Sequence, residues 1–197
     1  MSVHVDGATL ALDSFGTGPA VIQLHGNTMS RRAETAIGVD FRSLAEHHTF
    51  VRYDARAHGE STGTAVPELY TWENLALDLL TVKSHVSPAD PVDVIGSSMG
   101  TGTILHAALR EPSAFRRLVL VIPPTAWETR AANSLRNEEA AARIEREEVA
   151  GQPDDFLPPA LAGTTWSFEP EVPLELLPAV FRGPRRPTCR IPKDCAH

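Results

Sequence analysis

The chain has 197 residues, 42% of them hydrophobic and 22% charged, which is enough for one domain with a buried core. A formal net charge of −7 argues against nucleic-acid binding, which needs a basic stripe, and against an anionic membrane surface. Residues 1–15 lack the continuous apolar core of a signal peptide, and Leu118 to Ile122 is far too short to span a bilayer. These features describe a soluble cytoplasmic protein acting on a small molecule. Both cysteines, Cys189 and Cys195, fall in the last nine residues, so no disulfide framework is expected. Free thiols are a better account of them than a metal site with His197, and no cofactor is implied.

In chain order, Ser2 to Val5 and Thr9 to Phe15 alternate around Asp6-Gly7, the pattern of an antiparallel hairpin. Gly16 to Pro19 breaks it, and Ala20 to Leu24 then reads as a buried strand ending at His25-Gly26. Ile37, Phe41, Leu44 and Ala45 share one side of a weak helical pattern over Ile37 to His47, ahead of a strand over Thr49 to Tyr53. Thr71 is placed to cap a helix whose apolar positions, Trp72 to Val86, recur every three or four residues. Pro88 and Pro91 close that helix.

Val92, Val94 and Ile95 are β-branched and apolar, and Thr101 to Arg110 reads as a helix with Leu105, Ala108 and Leu109 turned inward. Between them lies Gly96-Ser97-Ser98-Met99-Gly100, a Gly-x-Ser-x-Gly turn. A serine at the centre of such a turn sits in a strained backbone with its Oγ lifted off the sheet, which makes Ser98 the candidate nucleophile. Leu118 to Ile122 is the next strand; five consecutive apolar residues are the composition of a central one. Ala126 to Val149 is helical and polar, with Glu139, Arg143 and Glu147 spaced for surface ion pairs.

Three ordered segments resemble one family. The turn at Ser98 resembles the nucleophile elbow of the α/β-hydrolases. Val21 to Gly26 looks like the family's third strand with its oxyanion loop. Phe50 to Ser61 looks like its Asp-x-Arg-Gly-His-Gly-x-Ser strand and loop, with Ala57 where glycine is usual. The resemblance implies a mostly parallel α/β sheet ordered 1-2-4-3-5-6, with helices on both faces and the C-terminal strands missing. It implies an oxyanion hole formed by the Met99 amide and that of Asn27 or Thr28, with Asn27 preferred. His25 would be a structural histidine or touch substrate, and Asp54, Arg56 and His58 would brace loops. Trp127 would line the pocket beneath a partial helical cap over residues 126–181, following a core of residues 1–125.

The family's activity would then be serine-nucleophile hydrolysis of a small ester or related acyl compound. Serine at the elbow argues against a haloalkane dehalogenase, whereas cofactor-free haloperoxidases, C–C bond hydrolases and lactonases share it. The family's triad also needs a late acid and a late histidine. After Ser98 the histidines are His106 and His197, and Asp154 and Asp155 fall in the expected cap. Residues 182–197 hold five basic residues and one acidic, against 13 and 24 in the preceding 181, a change of composition that suggests a frameshifted or truncated tail. The expectation is an incomplete triad and a damaged edge at the sixth strand. A fold that binds a ligand or partner without turnover is the competing reading.

Overall fold

The computed structural model describes residues 1–124, 128–146 and 171–183. Six strands form one sheet: β1 (Ser2–Val5), β2 (Ala8–Phe15), β3 (Ala20–Leu24), β4 (Thr49–Tyr53), β5 (Val92–Ser97) and β6 (Phe115–Val121). Their order is β1-β2-β4-β3-β5-β6, as the family resemblance implies. The β1–β2 and β2–β4 pairs are antiparallel and the other three are parallel. The first hairpin turns through Gly7 at φ +73°, a conformation that costs an L side chain and not glycine.

β3, β4 and β5 are buried almost throughout, because helices and loops cover both faces. The period-2 alternation divides their side chains between two layers. Ile22, Leu24, Val51 and Val94 pack with Leu79, Val82, Ile104 and Ala107 from helices α2 (Trp72–Val86) and α3 (Met99–Arg110). Val21, Phe50 and Ile95 face the other way, under Phe41, Leu44 and Ala45. As expected, α2 begins at Thr71, whose hydroxyl accepts from the Asn74 amide.

The structure corrects two sequence expectations about helices. Ile37 to His47 is not one helix. The chain forms α1 (Arg31–Ala36), turns through Gly38 at φ +80°, and resumes as a short 3-10 segment at Arg42–Glu46. Ser30 caps α1 by accepting from the Ala33 amide at 3.1 Å, and Asp40 captures the Arg42 amide at 2.9 Å. Phe41, Leu44 and Ala45 still reach the core, so the apolar face was right and its geometry was not.

The second correction concerns α3. Leu105 and Leu109 are 40% and 79% exposed, and it is Gly100, Thr103, Ile104 and Ala107 that face inward. The elbow sets the rotation of this helix, because Gly100 must lie against Leu24. β6 occupies the edge of the described sheet, the place expected for the sixth strand, with Leu118, Val119 and Leu120 between 38% and 50% exposed. Composition suited it to a central position; here its outer backbone has no strand partner among the described residues.

Beyond β6, α4 (Glu128–Glu145) and α5 (Leu177–Arg182) pack together through Ala141, Ile144, Leu177 and Val180, with Tyr70 and Ala57 beneath them. Arg182, assigned from composition to the irregular tail, instead ends α5 and bridges Glu138 at 3.0 Å and Glu145 at 2.8 Å. No helix among the described residues is long and apolar enough to cross a membrane.

Candidate functional site

Ser98 stands between β5 and α3 at φ +47°, ψ −105°, a region that non-glycine residues rarely occupy. Such strain persists only where the surroundings over-determine it, and here they do. The Ser98 amide donates to Val121 O at 2.9 Å, and the Thr101 amide returns to Ser98 O at 3.0 Å. A Cβ at Gly96 would come within 2.7 Å of the Gly100 backbone, and one at Gly100 within 2.6 Å of Leu24 O. Both glycines of the pattern are therefore steric necessities. Ser98 remains half-buried and makes no side-chain capping bond to its helix.

The loop after β3 meets this turn directly. The Gly100 amide donates to His25 O at 3.1 Å, and a Cβ at Gly26 would lie 3.6 Å from Ser98 Cβ. Thr28, at φ +59°, donates its amide to His58 Nε2 at 3.2 Å and so is committed. Of the two loop amides considered from sequence, that leaves Asn27. Neither the Asn27 nor the Met99 amide has an acceptor among the described residues. Met99 is the first residue of α3, where helical amides lack internal partners and the helix dipole favours negative charge.

The neighbouring histidines are braces. His25 is 3% exposed; its Nδ1 faces Gly26 O at 2.7 Å, and Nε2 accepts from the Ala55 amide at 2.9 Å. His58 donates from Nδ1 to Arg56 O at 2.8 Å and receives the Thr28 amide at Nε2. Burial pushes both below the usual histidine range, His58 to about 3. Both are neutral at physiological pH, with every ring nitrogen engaged. His106 stacks on Trp72 with ring centroids 5.7 Å apart, about 12 Å along the helix from Ser98 at ~1.5 Å per residue. Trp127, Asp154, Asp155 and His197 lie outside the described residues.

The loop after β4 has the structural role assigned to it, with different pairings. Asp54 accepts from the Arg31 and Glu60 amides at 2.8 and 3.0 Å and meets the Arg31 guanidinium at 3.0 Å. Burial alone would raise its pKa; these donors outweigh that and hold it low. Arg56 instead clamps Asp78 of α2 through bonds of 2.7 and 2.6 Å. Ala57, the departure from the family's glycine, adopts φ +63° with its methyl fully buried, and Gly63 leaves the space that methyl fills.

One buried group escaped the sequence reading. Glu34 of α1, 3% exposed, accepts from Gln23 Nε2 at 2.6 Å. Burial pushes it up to about 7. Its signal was available: Gln23 and Arg52 interrupt the otherwise apolar strands Ala20–Leu24 and Thr49–Tyr53, and polar side chains in buried strands need partners.

These titrations oppose one another. A neutral buried His58 stabilises fully above pH 6.5, and that stability is lost as pH falls toward about 3, roughly 5 kcal/mol in all. Glu34 has the opposite sign: its contribution is complete below pH 4.5 and lost as pH rises through about 7, roughly 3 kcal/mol. Glu34 therefore blunts acid destabilisation between pH 7 and 4.5. In Glu34→Gln the loss of stability across that interval, followed by urea midpoints, is expected to steepen by about 3 kcal/mol. An unchanged slope would show that Glu34 ionises at its ordinary value.

The family model for the alpha/beta hydrolase fold matches residues 19–175. The chain belongs to the α/β-hydrolase family. Solved structures with this fold include a hydrolase from Pseudomonas aeruginosa PA01, at 22% identity and TM-score 0.70 over 94% of this chain and 72% of that one. A Bacillus megaterium epoxide hydrolase aligns at 17% identity and TM-score 0.66, covering 93% and 71%. A thermophilic esterase from Thermogutta terrifontis aligns at 22% and 0.64, covering 89% and 66%. At these identities the likeness establishes the α/β-hydrolase architecture and leaves the reaction to the site.

Proposed function

We propose that the protein is a serine-nucleophile hydrolase of small esters or related acyl compounds, with Ser98 as nucleophile and the Met99 and Asn27 amides as oxyanion hole. The observation that carries this reading is the backbone of Ser98, strained at φ +47° and held so by the packing of Gly96 and Gly100. Strain of this kind has a function when it presents a side chain. Ser98 Oγ would attack the acyl carbonyl, and the developing oxyanion would fall between two backbone donors that have no other acceptor among the described residues. His25 would support the loop that carries Asn27 and shape its floor, while Trp127 would contact substrate. Small uncharged ligands fit an acidic, predominantly apolar-cored domain, without a cofactor.

A second reading, a hydrolase fold that binds without turnover, draws support from the engaged nitrogens of His25 and His58. A fluorophosphonate probe separates the two. Covalent labelling that disappears in Ser98→Ala supports the nucleophile. Absence of labelling in a chain that melts cooperatively favours binding without turnover.

A further inference from the structure

Two peptide units meet at Asn27 in the loop after β3, and each is held by a different histidine. The first joins Gly26 C=O to Asn27 N–H. Its carbonyl accepts from His25 Nδ1 at 2.7 Å and, less closely, from the Met29 amide at 3.2 Å. The second joins Asn27 C=O to Thr28 N–H. Its carbonyl accepts from the Thr28 hydroxyl at 2.7 Å, and its amide donates to His58 Nε2 at 3.2 Å.

The same histidines tie two loops to each other. His25, in the loop after β3, accepts at Nε2 from the Ala55 amide of the loop after β4 at 2.9 Å, while His58 of that second loop accepts the Thr28 amide of the first. Each commits its Nδ1 to a carbonyl of its own loop, Gly26 O or Arg56 O, and the rings lie 5.1 Å apart. Carbonyls only accept and amides only donate, so both rings are neutral with the proton on Nδ1. Asn27 Oδ1, 3.4 Å from His58 Nε2, has no proton to offer and leaves that lone pair to Thr28.

We propose that His25 and His58 form a reciprocal clasp between the loops after β3 and β4, within which His25 is the positioning residue that aims the Asn27 amide. This rests on the reading of Ser98 as nucleophile and Asn27 as oxyanion donor. The Gly26–Asn27 bond is trans, and in a planar trans unit N–H and C=O point in opposite directions. Fixing Gly26 O on one side therefore fixes the direction of Asn27 N–H on the other. The bond accepted by the carbonyl also polarises the unit and strengthens its N–H as a donor.

Three measurements on the full chain test this. In the native protein, ¹⁵N–¹H correlations of the imidazoles are expected to show both rings as the neutral Nδ1–H tautomer. An Nε2–H ring at either position overturns the clasp, whether or not Ser98 reacts. The second measurement uses the overlap of amide side chains with imidazole: asparagine puts a donor where His25 has Nδ1, and glutamine puts an acceptor where it has Nε2. His25→Asn keeps the bond to Gly26 O, and His25→Gln keeps the bond from Ala55. The residual dipolar coupling of the Asn27 N–H in weakly aligned protein is expected at its native value in His25→Asn and displaced from it in His25→Gln. Couplings that do not separate the two variants overturn the positioning role. In the third, fluorophosphonate labelling of Ser98 is expected to be about tenfold slower in His25→Gln than in His25→Asn, since a misdirected donor stabilises the oxyanion poorly. Equal rates overturn the positioning role, because a merely structural histidine would lose one bond of the clasp in either variant. A native chain that shows both tautomers and the coupling difference yet never labels leaves the clasp standing and removes the nucleophile reading instead.

Discussion

A short-chain p-nitrophenyl ester should be hydrolysed by the 197-residue chain far below the usual enzyme range of about 1–10³ s⁻¹. Losing the base of a serine triad costs on the order of 10⁶ in kcat, and an oxyanion hole with binding alone retains roughly 10³–10⁴ over water. Among the described residues, His25 and His58 are neutral and fully engaged, and His106 lies two turns down α3 against Trp72. The residual cleavage should depend weakly on Ser98. Turnover above about 1 s⁻¹ that vanishes in both Ser98→Ala and His197→Ala would show that the last residue of the chain serves as the base, and that the tail completes the site.

Arg56→Ala should lower stability by about 3–5 kcal/mol, enough to unfold much of a domain whose total is about 5–15 kcal/mol. The reason is the carboxylate left behind. Asp78 is 2% exposed, and burial already raises its pKa despite two bonds from Arg56. Without the guanidinium it must either stay charged in an apolar layer or take up a proton. Replacing both partners by leucine removes the burden and should restore most of the loss. Urea midpoints for the two single variants and the double variant distinguish the outcomes: additive losses would mean that the pair is not coupled, contrary to its geometry.

Much of this architecture was legible in the residues. The strands and helices follow from alternating apolar runs and helical periods, their order from the family resemblance, and the elbow from five residues in a strand-to-helix setting. Thr71 capped its helix where hydroxyl chemistry placed it. The failures share a cause: side-chain size was weighed above backbone demands. Leu105 and Leu109 looked like core residues, but the close approach of Gly100 to Leu24 fixed the rotation of α3 and turned Ile104 and Ala107 inward. Ile37 and Phe41 carried a helical spacing that Gly38 and Asp40 interrupt. In the candidate site, the serine and its amides could be read because a short pattern specifies them. Glu34 could not, because its partner Gln23 lies 11 residues upstream on a separate element, and only the fold brings the two together.

The uncovered strip Leu118-Val119-Leu120 also bears on the protein's life in a cell. An extended apolar segment whose outer edge has no strand partner among the described residues is what chaperones and quality-control proteases engage, since incompletely folded chains expose the same feature. Abundance would then be governed by the competition between capture and release at this edge as much as by synthesis, and a small gain in protection there would change steady-state levels several-fold.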